Sequence, residues 1–253
     1  MEYLTIDEGR KASGLRLVLV AGTPGAWGEC VKAIYHVKGL DYQPVAQLMG
    51  EENLDLLDWT GQTSAPVAAY NDERIRISWE NMLWQAEQLA PEPRLIPADA
   101  AQRVAMFGLL RELAGECGFA WDRRLHTISA SGGPEAAPVL ARLAGKYGYS
   151  EAEVEASYQR TEGLLALCSD MLEAQRERGS PYYIGEQLTA VDVYAAVLFA
   201  IMINPLPHEQ IPMPEGMRWG FSQPLDCLAA ARPVVFEHRD YIFEKYLALP
   251  LDF

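Results

Sequence analysis

Basic residues are scarce in this chain of 253 residues. Lys and Arg number 21 against 35 Asp and Glu, a formal net charge of −14. Nucleic-acid binding needs a cationic face that displaces counterions from phosphates, and no basic run supplies one. Long hydrophobic runs are missing too. The longest, VDVYAAVLFAIMI at residues 191–203, is too short to cross a bilayer and carries Asp192 near its start. It reads as a buried core helix, and no membrane partner is expected.

Cysteine and histidine are few and scattered. Cys30, Cys117, Cys168 and Cys227 form no CxxC pair, and none stands at metal-ligand spacing from His36, His126, His208 or His238. A disulfide scaffold and a structural zinc are therefore not expected, no metal site is assigned, and the thiols suggest a reducing cytoplasm. The histidines read as surface or capping groups. The opening MEYLTIDEGRKASG has no basic segment leading into an apolar one, so no secretory signal is expected.

The remaining composition is that of a globular protein, 49% apolar and 22% charged. Two regimes follow one another. Residues 1–14 are a polar extension or extra edge element. In 15–90, the run LRLVLV at 15–20 is a buried strand, and AGTPG ends it. A helix reaches Gly39, and YQPV at 42–45 is an edge strand because Pro44 cannot donate to a ladder. Residues 51–58 make an acidic helical turn with a solvated face of Glu51, Glu52, Asp55 and Asp58. Residues 66–70 and 75–78 pair as a hairpin, and 79–89 is a helix. Three prolines mark 91–98 as a linker. Residues 99–253 read as helical: 100–113, 150–176 opening on the capping-box pattern Ser150-x-x-Glu153, 189–203, and 234–247. The stretch IPMPEGMRW at 211–219 is an irregular flap or a surface loop. The class is α/β plus all-α.

This order resembles the glutathione transferase superfamily, a thioredoxin-like domain followed by a helical domain. Residues 15–45 are similar to the family's first strand, active-site loop and first helix. TSAPV at 63–67 resembles its Val-Pro-Val-like segment, whose proline is cis. LIPAD at 95–99 resembles its interdomain motif, and YYIGEQLTAVDVYAA at 182–196 its Gly-x-x-x-Thr-x-Ala-Asp pattern, which caps a structural helix.

The resemblance implies a glutathione-dependent enzyme, with glutathione as co-substrate and a small apolar electrophile as partner. A hydroxyl donor and a helix N-terminus would favour the thiolate. Thr23 is the only hydroxyl between Val20 and Cys30 and is the catalytic candidate; its plainer reading is turn initiation. Trp27 would line the site, and Pro66 would present the backbone of Ala65 to the cysteinyl part of the peptide. At the γ-glutamyl position the family has a serine. Alignment by the strand puts Glu80 there, followed by Asn81; alignment without a gap after Pro66 puts Ser78 there. A carboxylate at Glu80 would repel the ligand's own carboxylate. Arg103, Met106 and Phe107 are electrophile-pocket candidates, with Lys32 and Arg103 as cationic helpers. The family commonly forms homodimers. Two alternatives stand: a non-catalytic binding protein on this scaffold, and a glutathione-dependent reductase using Cys30, whose position better suits a packing residue.

Overall fold

The computed structural model describes residues 1–253. Contacts divide the chain into two compact units. One is Met1–Leu95 with His208–Met213 and Leu247–Phe253; the other is Ile96–Pro207 with Pro214–Tyr246. The two later segments that join the first unit have no signature in composition.

The first unit runs α1 (Ile6–Lys11), β1 (Leu15–Val20), α2 (Ala26–Val37), β2 (Gln43–Gln47), α3 (Leu54–Thr60), β3 (Val67–Tyr70) and α4 (Trp79–Leu89). The apolar LRLVLV run is central, in the order β2-β1-β3. β1 pairs in parallel with β2, from Arg16↔Gln43 to Val20↔Gln47. It pairs antiparallel with β3, from Leu15↔Tyr70 to Val18↔Val67. Side chains alternate between sheet faces. Val18, Val45 and Val67 meet Leu56 of α3 on one face, with Ile6 of α1 and Trp59 packed against them. Leu19 faces α2, where a Cβ at Gly28 would stand 3.0 Å from its Cδ2.

The N-terminal residues do extend the sheet edge. Leu4 bridges Val45, its N–H donating to the Pro44 carbonyl at 2.9 Å. α1 then folds over that edge, and a Cβ at Gly9 would come within 2.6 Å of Val45 Cγ2. The expected hairpin is reduced to one bridge, Ala68 with Arg76, bonded at 2.9 and 2.8 Å. The segment is too short to continue as a strand, because Ser78 already caps α4.

The second unit holds α5 (Ala100–Ala114), α6 (Phe119–Ala130), α7 (Pro138–Tyr147), α8 (Glu151–Glu177), α9 (Ala190–Met202), α10 (Glu215–Phe221) and α11 (Pro233–Tyr246). Every residue of α9 is buried, as its unbroken apolar run requires. Asp192 in its first turn is fully buried and fully engaged. One oxygen accepts from the Thr189 N–H and hydroxyl, both at 2.8 Å; the other accepts from the Tyr183 N–H at 2.8 Å and from His238 Nε2 at 3.0 Å.

Three expectations change here. The Ser150 box is half formed: Ser150 Oγ accepts from the Glu153 N–H at 3.1 Å, while Glu153 pairs with Arg160 instead. The stretch 211–219 is neither flap nor plain loop, since Ile211 and Met213 are buried and 215–221 is helical. His126 is buried rather than at the surface. Its Nε2 lies 2.8 Å from Ser157 Oγ, which donates to the Val154 carbonyl at 2.6 Å, so Nε2 carries the proton. Nδ1 then accepts from Arg123 Nη1 at 3.3 Å.

Candidate functional site

The sheet register gathers the candidate residues of the first unit at one end. Val67 faces Val18 near the end of β1, so Ala65 and Pro66 lie where β1 gives way to the loop before α2. The Ala65–Pro66 peptide bond is cis, as the resemblance implies. The Ala21 N–H donates to the Gln47 carbonyl at 3.1 Å and ties the end of β2 to the same place.

α2 starts at this end with an N-cap, Gly25, that has no side chain and makes no side-chain cap. The N-cap residue of this twelve-residue helix therefore supplies no side-chain oxygen to its first amides, and a helix N-terminus is suited to an anion. Thr23 lies two residues before the cap and is 9% exposed; its carbonyl accepts from the Gly25 N–H at 2.8 Å. Trp27 sits half-buried in the first turn.

Cys30 is on the inward face and fully buried. Burial, then the nearby Glu29 carboxylate, pushes its thiol well above the usual range. It is neither accessible nor acidic, which weighs against its serving as a reductase nucleophile.

Glu29 itself is unexpected. Residues advance about 100° along a helix, which sets Glu29 and Lys32 on the face away from Val31 and Ile34. Glu29 is nevertheless buried, 2.9 Å from Lys32 Nζ. Lys32 also donates to the backbone carbonyl of Asp252, which brings the segment Leu247–Phe253 onto this face. Lys32, expected as a cationic helper, is thus neutralised within the protein.

At the start of α4 the serine and the glutamate meet. Ser78 is the N-cap, its Oγ accepting from the Asn81 N–H at 3.3 Å, and its hydroxyl donates to Glu80 Oε2 at 3.2 Å. Glu80 is exposed and Asn81 half-buried. Of the two residues that the alignments offer, Ser78 is the helix cap, and the pattern Ser78-x-x-Asn81 ahead of the helix is the sequence sign of it.

The pocket candidates lie on α5 of the second unit. Met106 is fully buried in that unit's core. Arg103 Nη1 donates to the Pro97 and Ala98 carbonyls at 3.1 and 2.8 Å, so it holds the end of the linker. Phe107 is half-buried.

No family model matches the sequence, and no curated protein does. Solved structures do match. A glutathione S-transferase from Methylobacillus flagellatus, with glutathione bound, aligns over 92% of this chain and 96% of its own with a TM-score of 0.66 and 14% identity. One from Methylobacterium radiotolerans, in complex with glutathione sulfonate, aligns over 92% of both chains at 0.62 and 16%. A monomeric glutathione S-transferase from the hookworm Necator americanus aligns over 92% of both at 0.58 and 12%. The chain has the glutathione transferase fold, a thioredoxin-like unit followed by a helical one. No helix is long and apolar enough to cross a membrane.

Proposed function

We propose that this chain binds glutathione at the end of its sheet and directs the thiolate at a small apolar electrophile. The observation that carries the reading is the start of α2, whose N-cap Gly25 has no side chain, beside Thr23 at the end of the sheet where Ala65 and Pro66 lie. Amide dipoles there would stabilise the sulfur anion, with the Thr23 hydroxyl as one further donor. The Ala65 backbone would hold the cysteinyl residue and Trp27 would wall the site. Asn81 and the first amides of α4 would take the γ-glutamyl end. The active species would be a cytoplasmic homodimer. The test is turnover of an activated aryl chloride with glutathione, followed with Thr23→Val alongside; a wild-type rate no faster than free glutathione overturns the enzyme reading.

One observation favours a second reading, a non-catalytic binding protein on the same fold. Glu80 places a negative charge, already hydrogen-bonded to Ser78, where the ligand would bring its own carboxylate. Binding without turnover would select this reading.

A further inference from the structure

Near its C-terminal end α11 carries a lysine whose partner is a phenol. On a helix, side chains four positions apart face each other, and four positions before Lys245 stands Tyr241 rather than a carboxylate. Two acids of this helix are engaged with arginines, Glu237 with Arg176 at 2.6 Å and Asp240 with Arg239 at 2.7 Å. A third, Glu244, is adjacent to Lys245 in sequence, where helical side chains diverge. Lys245 Nζ donates to the Tyr241 hydroxyl oxygen at 2.8 Å. Two rings fix its direction: Nζ stands 5.2 Å from the centre of the Tyr241 ring and 5.1 Å from that of Tyr246.

Tyr182, in the segment before α9, completes the group. It is buried, and its ring centre lies 6.2 Å from that of Tyr241 and 6.4 Å from that of Tyr246. The three phenols differ in their partners. The hydroxyls of Tyr182 and Tyr246 bond to each other, and burial followed by that bond pushes the Tyr182 phenol up. Tyr241 has the ammonium as its donor, and that bond is the first cause holding its phenol below the usual range. Tyr241 is half-buried and Lys245 is exposed, so the pair opens to solvent. A phenol oxygen whose anion is favoured by a fixed cation is a nucleophile.

We propose that Tyr241 is a covalent modification site, its phenol oxygen taking the acyl group of a small activated acyl compound, with Lys245 as the positioning residue. The phenol oxygen attacks the acyl carbonyl carbon. The new O–C bond forms, the bond to the leaving group breaks with its electron pair going to that group, and the phenol proton passes to solvent. Lys245 is not the acceptor, because its bond to Tyr241 raises the amine above its usual range and keeps it protonated. All four residues belong to the second unit, and the site does not depend on glutathione binding elsewhere.

The full chain, free of glutathione, is treated briefly with N-acetylimidazole near neutral pH, and acetylated peptides are quantified by mass spectrometry. Hydroxylamine removes acetyl from tyrosine oxygen and leaves it on lysine nitrogen. Tyr70 and Tyr149, also half-buried, serve as internal comparators. Tyr241 should acetylate about tenfold faster than either and lose the group to hydroxylamine. Lys245→Met should slow Tyr241 about tenfold, the loss of one charge-assisted hydrogen bond, and leave the comparators unchanged, while Lys245→Arg restores the rate. Acetylation of Tyr241 no faster than the comparators, a hydroxylamine-stable acetyl on Lys245, or an unchanged Tyr241 rate in Lys245→Met overturns the site.

Discussion

The Ser78 hydroxyl donates to the Glu80 carboxylate at 3.2 Å while its oxygen caps the Asn81 amide at 3.3 Å. The cap therefore closes on itself, and under the proposed binding mode the Glu80 carboxylate would face the ligand's own. Glu80→Gln removes the charge and keeps the size. Glutathione affinity should rise about tenfold, in line with relieving one like-charge contact near a helix N-terminus. Calorimetry checks it; an unchanged or weaker Kd would place the γ-glutamyl end away from α4.

Thr23→Val preserves volume and deletes the hydroxyl. If that hydroxyl supports the thiolate, kcat/KM should fall at least about tenfold, the cost of one hydrogen bond to a charged group. Kd for glutathione should barely move. The bound thiol, followed by thiolate absorbance against pH, should titrate higher than in the wild type. An unmoved titration would assign stabilisation to the α2 amides alone.

His126 is buried and neutral, its pKa lowered to about 3 first by burial and then by the charges of Arg123 and Arg160. The unfolded side chain titrates near 6.5. Below that value the unfolded state binds the extra proton, so stability is full above about pH 6.5 and falls as pH drops toward 3. The loss approaches about 1.4 kcal/mol per pH unit and totals roughly 4–5 kcal/mol. His126→Asn should flatten this slope in urea unfolding; carboxylates common to both proteins cancel in the difference. Parallel slopes would mean that His126 is protonated in the fold.

Asp192→Ala strands the His238 Nε2–H and the Tyr183 and Thr189 amides in a buried environment. The expected cost is roughly 3–5 kcal/mol in urea unfolding. Asp192→Asn keeps one acceptor oxygen and should fall between. A cost under about 1 kcal/mol would mean that water replaces the carboxylate.

These sites differ in how far they can be read from sequence. The α9 segment is legible because thirteen consecutive apolar-rich residues behind a Thr-x-x-Asp start allow one solution, a buried capped helix. The run 15–20 is legible for a similar reason, since a central strand buried on both faces needs no alternation. α6 is not, because Asp122, Arg123 and His126 point inward and break the apolar period. Their burial rests on partners far away in sequence, Ser157, Arg160 and Met202. Glu29 was likewise hidden: on its own helix it belongs to the outer face, and the segment that reaches Lys32 comes some two hundred positions later. At the candidate site, residue types were readable, but whether Ser78 or Glu80 stands at the family's serine position depended on how the strand before α4 was aligned.

The account stands on glutathione binding by the first unit. Calorimetric titration of the full chain with glutathione tests it most directly, with Glu80→Gln alongside. Saturable one-to-one binding, tighter in the variant, is the predicted result. No saturable heat in either protein at millimolar glutathione would contradict it.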